Sequence, residues 1–231
     1  MTLVAEVLSP WSFPSQIKVT FSDKSFGDLS GKVASRDEVV KNRLRLWNGQ
    51  WNWVNQVHGN KALVLEQSST IEGQDADALV TDQFDQGLGI FSADCAPVAF
   101  ASLEGILAIA HGGWRGLVGG ILENTVQKMR SLGASNIEAF LGPCIHFECY
   151  EFGDEIEILT QRLGPQIIGL TKDSKKSLNI EIAVETILNN IGVKLVGPPM
   201  SCTSCDSSFF SYRKHKDNSR QAMVVWKDSK L

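Results

Sequence analysis

A chain of 231 residues with a formal net charge of −4 is long enough to bury a sizeable core, and its charge argues against general affinity for nucleic acid or anionic membranes, which needs a clustered basic face. Acids and glycines interrupt its most apolar region, so no stretch reads as a transmembrane span. Its 5 cysteines, an odd number, do not read as a disulfide framework, and no basic residue precedes Lys18 as a secretory signal would require. These features point to a reduced, cytoplasmic setting and small-molecule partners.

Ile17 to Phe21 alternates as a short strand, and Ser22 to Gly31 reads as a turn-rich loop. Ser35-Arg-Asp-Glu38 has the capping-box pattern and opens a helix whose expected apolar face carries Val40, Leu44 and Trp47. Gly59 and Asn60 form a turn with His58 at its lip, and Ala62 to Leu65 follows as a strand. Asp75 to Asp82 is a short strand flanked by acids. It is either a solvated strand end or, at Asp77, part of a pocket wall.

Gly89 to Gly116 organises the rest. Two apolar runs flank Ser102 to Gly105 and predict a hairpin, which sets Cys95 within about three positions of the rung holding His111. Gly112, Gly113 and Gly116 surround Trp114 and Arg115, and Leu117, Ile121, Val126 and Met129 continue at helical spacing to Gly133. A glycine-rich passage from strand to helix leaves backbone N–H groups unpaired, and with Arg115 beside them these suit an anion such as phosphate.

Ile137 to Leu141 reads as a strand. The polar loop after it carries Cys144, His146 and Cys149, either a second metal cluster or small thiols with a surface imidazole. Asp154 is placed to cap a helix bearing Ile156, Leu159 and Leu163. Lys172 to Ser177 is a charged loop before a second amphipathic helix, Ile180 to Ile191, which ends at Gly192. Lys194 to Gly197 is a strand. Cys202-Thr-Ser-Cys205 is an isolated C-x-x-C, without the second ligand pair of a structural zinc site or the context of a thioredoxin motif. Phe209 to Arg213 and Gln221 to Trp226 predict a pair of strands, with Arg213 and Arg220 at the loop between them.

Seven of these stretches occur together and in order: Gln56-Val-His58-Gly, Asp75-Ala-Asp77-Ala-Leu-Val-Thr, Ala93-Asp-Cys95, His111-Gly-Gly-Trp-Arg115-Gly, Gly142-Pro-Cys-Ile, Cys149-Tyr-Glu and Phe210-Ser-Tyr-Arg213. In this the chain resembles the YfiH-type laccase-domain, or polyphenol oxidase, family, regarded as purine nucleoside phosphorylases that also deaminate adenosine. The resemblance implies an α+β fold of mixed β-sheets with flanking helices, layered in one domain over 1–231 and related to certain bacterial toxin deamidases. It further implies a zinc site made by His58, Cys95 and His111, and phosphorolysis of adenosine, inosine, guanosine and methylthioadenosine. Purine nucleosides and inorganic phosphate are then the partners, with the chain a monomer or small homo-oligomer. Asp77 is the candidate proton shuttle, and Gly112, Gly113, Arg115, Arg213 and Arg220 are the candidate phosphate ligands.

Two rival readings share these residues. Cys95 and His111 could act without metal as the nucleophile and base of a cysteine hydrolase or amidase. Two histidines and a cysteine are also the core ligands of a blue-copper centre, as a polyphenol oxidase would need. A laccase, however, adds a histidine-rich copper cluster, and only His146 and His215 remain once the triad is assigned.

Overall fold

The computed structural model describes residues 6–13 and 15–229. The first half of the chain forms β1 (Val7–Leu8), β2 (Ile17–Phe21), α1 (Arg36–Leu46), β3 (Gln50–Asn55), β4 (Ala62–Val64), β5 (Glu72–Asp75), β6 (Ala78–Thr81), β7 (Gln86–Ser92), β8 (Ala96–Ser102) and β9 (Leu107–Gly112). The second half adds α2 (Trp114–Gly119), α3 (Ile121–Ser131), β10 (Ile137–Leu141), α4 (Ile156–Leu163), β11 (Ile168–Leu170), β12 (Lys176–Leu178), α5 (Ile180–Asn190), β13 (Lys194–Val196), α6 (Tyr212–His215) and β14 (Gln221–Lys227).

The fold is α+β, with mixed sheets as expected. Two six-stranded sheets run in the orders β1-β2-β14-β7-β3-β5 and β13-β10-β8-β9-β6-β4, and β11 pairs with β12 as a separate hairpin. Val19, Leu88, Ile90, Met223 and Val225 of the first sheet meet Leu79, Ala99, Ile109 and Phe140 of the second in one apolar layer. The opposite face of the second sheet, with Val98, Phe100, Ala108 and Ala110, packs on Val126, Met129, Val184 and Leu188 of α3 and α5. On the far side of the first sheet, Val224 and Trp226 join Leu46, Trp51 and Phe91. Alternate residues of β9 and β14 thus serve opposite faces, and both faces are covered, which is why these strands read as unbroken apolar runs.

Several elements depart from expectation. The capping box at Ser35 is present, but the buried face of α1 is Val39, Arg43 and Leu46. Val40 and Leu44 are exposed. The Arg43 guanidinium lies 4.2 Å from the Trp53 ring centroid and 4.7 Å from that of Phe91, and its Nε donates to the Leu29 carbonyl. A cation seated on aromatic faces, its aliphatic stem covering apolar surface, displaces the apolar stripe. The helix after His111 is two helices, because Gly120 adopts φ 89° and ends α2 before α3 begins. Glu155, not Asp154, is the N-cap of α4, and no side chain caps it. Of the charged loop expected over Lys172 to Ser177, the residues up to Lys175 turn the chain between β11 and β12, while Lys176 and Ser177 belong to β12 itself. Phe209 to Arg213 forms no strand. β14 is already paired on both edges, with β2 and β7, so Phe210 instead exchanges backbone bonds with the Gln221 side chain, and Tyr212–His215 coils as α6.

Candidate active site

β7 belongs to the first sheet and β8 to the second, so the chain crosses between sheets at Ala93, Asp94 and Cys95. Asp94 has φ 98°, a conformation costly for a residue with a side chain. Its carboxylate accepts hydrogen bonds from the Thr203 and Ser211 hydroxyls, both at 2.8 Å, and from the Arg213 N–H at 2.7 Å. Those three bonds tie the 203–213 segment to the crossing and hold the backbone that presents Cys95.

β8 and β9 pair with Ala96 opposite Gly112 and Pro97 opposite His111, so Cys95 lies beside the His111 rung as the hairpin register predicts. His58 arrives from the turn after β3, at φ 59°. The turn is shaped by Asp77, whose carboxylate accepts the N–H groups of Val57, His58 and Gly59 at 3.2, 3.0 and 2.7 Å. The same carboxylate contacts His111 Nδ1 at 2.8 Å. Four donors on one buried carboxylate fix both histidines from behind.

The ligand atoms of His58, Cys95 and His111 lie within 4.8 Å of one another. The two imidazole rings meet edge to face, with centroids 4.8 Å apart. Burial alone would push the Cys95 thiol up, but the charge and hydrogen bond of His111, with His58 assisting, draw it below the ordinary thiol range. Burial would likewise push His111 down, yet Cys95 and the Asp77 carboxylate raise it. The pair thus favours thiolate and imidazolium, and a cation binding there would displace the imidazolium proton to solvent. One thiolate and two imidazoles suit zinc with an open fourth position, and a carboxylate behind a ligating histidine is the usual outer partner.

Gly113 leaves room for this arrangement. A Cβ built there would stand 2.9 Å from His58 Cδ2, 3.4 Å from His111 Cε1 and 3.6 Å from Cys95 Sγ. Gly113→Ala is therefore expected to push the His58 ring outward and weaken metal binding about tenfold. Zinc titration against a chromogenic chelator measures this, with circular dichroism checking that the fold is kept.

The triad opens into a cavity of about 470 Å³ also lined by Trp53, Phe91, Tyr212, Lys32 and Arg220. Lys32 is lowered by burial and by the nearby Arg220 charge, so two cations share one wall. Both depend on Asp28, which accepts from the N–H groups of Ser30, Gly31, Val33, Ala34 and Arg220. Burial opposes ionisation of Asp28, but these bonds outweigh it and hold the carboxyl below its usual range.

Of the other residues singled out in the sequence, Arg220 lines the cavity, whereas Asp77 sits fully buried behind His111 and outside the lining. Gly112 packs its backbone against the Ala96 carbonyl. Arg115 is exposed, with its guanidinium 4.3 Å from the Trp114 ring centroid. Arg213 lies 5.1 Å over the Tyr150 ring. Neither Arg115 nor Arg213 is among the cavity-lining residues. Sequence reasoning missed Lys32, Trp53, Phe91 and Tyr212. The only signals were an Asx-turn pattern at Asp28-Leu-Ser-Gly31 and the aromatic residue within Phe210-Ser-Tyr-Arg213.

Residues 18–228 match the family described as multi-copper polyphenol oxidoreductase laccase. A purine nucleoside phosphorylase of Streptomyces coelicolor is 31% identical over 206 residues, covering 87% of this chain and 85% of that protein. The purine nucleoside phosphorylase YfiH of Escherichia coli is 32% identical, over 82% of this chain and 81% of the relative. Among solved structures, a Neisseria meningitidis protein of the DUF152 family superposes with a TM-score of 0.83 at 25% identity, covering 97% of this chain and 99% of the other. YlmD from Geobacillus stearothermophilus superposes with a TM-score of 0.76 at 26% identity, over 92% of each chain. Among the described residues no helix is long and apolar enough to cross a membrane.

Proposed function

Since the chain belongs to the multi-copper polyphenol oxidoreductase laccase family, and its relatives bear the name purine nucleoside phosphorylase, we propose that it is a zinc-dependent purine nucleoside phosphorylase. Its substrates are adenosine, inosine, guanosine and methylthioadenosine, and adenosine is also deaminated at the same centre. The observation that carries this reading is one cavity lined by a soft three-ligand set, aromatic residues and two cations. A reduced cytoplasm suits a centre that depends on the Cys95 thiolate.

His58, Cys95 and His111 hold the zinc, which when bound supplies a Lewis acid to the reacting purine. Of the aromatic residues lining the cavity, Tyr212 is exposed and Trp53 half-buried, and these are the two on which a purine stacks. Lys32 and Arg220 hold phosphate against the anomeric carbon of the ribose, so that nucleophile and substrate meet in one bound geometry. Asp77 accepts the hydrogen bond of His111 Nδ1–H and so keeps the proton on that nitrogen, which leaves Nε2 free to ligate. In phosphorolysis a phosphate oxygen forms the new bond to the anomeric carbon while the glycosidic electron pair leaves with the base. Lys32→Ala and Arg220→Ala are each expected to raise KM for phosphate about tenfold, the loss of one charge-assisted hydrogen bond. Zinc content should stay unchanged; steady-state kinetics with phosphate varied measures the effect.

Incubation of the zinc-loaded protein with inosine tests the function. Release of hypoxanthine that requires added phosphate supports the phosphorylase, and no turnover of any of the four nucleosides with phosphate overturns it.

A second reading draws on the line from Cys95 through His111 to Asp77, which is also that of a nucleophile, base and orienting acid. It gives His58 no task, although His58 brings a third ligand atom to the cluster. Rapid labelling of Cys95 by iodoacetamide in protein free of tightly bound zinc would favour it. Copper oxidation fits less well. His146 pairs with Glu181 at 3.5 Å, and His215 is exposed at the end of α6, so neither stands by the triad.

A further inference from the structure

Away from this cavity, the isolated C-x-x-C gains a third sulfur. Cys149 ends the helical turn Phe147–Cys149, 56 residues before Cys205 in the chain, yet its Sγ lies 3.2 Å from Cys205 Sγ. Cys149, Cys202 and Cys205 bring their sulfurs within 4.8 Å of one another. The Cys202 carbonyl accepts the N–H of Cys205 at 3.1 Å and of Asp206 at 2.9 Å, so Cys202 to Asp206 folds as a tight knuckle. That turn aims two sulfurs of a C-x-x-C at one point, as structural zinc sites do. Cys202 Sγ also accepts the backbone N–H of His146 at 3.3 Å, the kind of donor that orients and stabilises a ligating thiolate. Cys202 is buried, while Cys205 is exposed and leaves an entry from solvent.

We propose that Cys149, Cys202 and Cys205 form a second, structural metal site for a thiophilic closed-shell cation, zinc(II) or copper(I). Sulfur donors alone make the set, and such sets select these ions over magnesium, calcium or manganese. A tetrahedral ion takes its fourth ligand from solvent on the Cys205 side; copper(I) is satisfied by the three sulfurs. A disulfide between Cys149 and Cys205 is the competing chemistry, but it uses two sulfurs and leaves the third, with its N–H···S bond, unexplained. The ion does not act on substrate. It clamps the Cys149 loop to the knuckle, and Thr203 within that knuckle donates to Asp94, so the clamp braces the crossing that carries Cys95. This does not depend on what the cavity turns over.

The test uses the full chain, purified under reducing conditions without chelators, as wild type and as Cys95→Ser, Cys205→Ser and Cys149→Ser/Cys205→Ser. Cobalt(II) loading of Cys95→Ser should still give an intense thiolate-to-metal charge-transfer band, whereas the double variant keeps only the weaker single-thiolate band of Cys95. Metal analysis should find about two ions per wild-type chain and about one in Cys205→Ser. Competition of the loaded Cys95→Ser protein with a zinc chelator and with a copper(I) chelator tells the two ions apart. A Cys95→Ser protein with no charge-transfer band overturns the proposal, as does a native mass short by two hydrogens with a Cys149–Cys205 linked peptide. Because Cys95→Ser retains every proposed sulfur ligand, the result stands even if the double variant fails to fold.

Discussion

His58→Ala is expected to give a folded protein that has lost both its tightly held zinc and its phosphorolytic turnover. The side chain is exposed, so its removal empties no core, and the stability change should stay within about 1 kcal/mol, chiefly from the left-handed backbone at φ 59°. The functional loss is larger. A three-ligand site reduced to two no longer retains zinc, and the Lewis acid it supplied is worth several kcal/mol; at about 4 kcal/mol the loss in kcat/KM is roughly a thousandfold. Metal analysis and turnover of inosine with phosphate, on the same preparation, measure both. The variant also separates the two readings of the site, because a Cys95–His111 hydrolase keeps its nucleophile and base when His58 is gone. Full turnover by a zinc-free His58→Ala protein would remove the metal from the mechanism.

The parts of this site legible in the sequence are those set by local rules. The turn at Ser102 to Gly105 fixes the β8–β9 register, and the register alone puts Cys95 beside His111. The lip position of His58 follows from Gly59 and Asn60. What the sequence hides is set by packing between distant segments. Lys32 reaches the cavity because Asp28 gathers its loop and ties it to the backbone of Arg220, far along the chain. Arg43 reads as the polar side of α1, yet the aromatic faces of Trp53 and Phe91 make it the buried side. Gln221 to Trp226 was readable as a strand, but not that it would pair on both edges and leave Phe209 to Arg213 to carry Tyr212 to the cavity. Asp77, which the sequence left at either a solvated strand end or a pocket wall, stands one layer deeper than both, because backbone N–H groups and an imidazole claim its two carboxylate oxygens.

That deeper position makes Asp77→Asn the sharper experiment. Oδ1 accepts from the His58 N–H and faces His111 Nδ1, while Oδ2 accepts from the Val57 and Gly59 N–H groups. An amide has one oxygen, and each way of placing it fails differently. With the oxygen toward Oδ1, the new NH2 confronts two backbone donors, and the turn carrying His58 loses both bonds at about 1–3 kcal/mol for each unsatisfied group. With the oxygen toward Oδ2, the NH2 faces His111 Nδ1 and forces that nitrogen to accept, which moves the ring proton to Nε2 and removes the lone pair a metal needs. Either arrangement should weaken zinc binding about 10–100-fold, the usual cost of a lost outer partner. Melting temperature should fall as well, but the two readouts differ in scope: zinc competition reports the tautomer and the turn, thermal melting the loss of buried hydrogen bonds. A variant that melts early yet binds zinc as tightly as wild type would leave Asp77 a support of the fold that sets neither histidine for the metal.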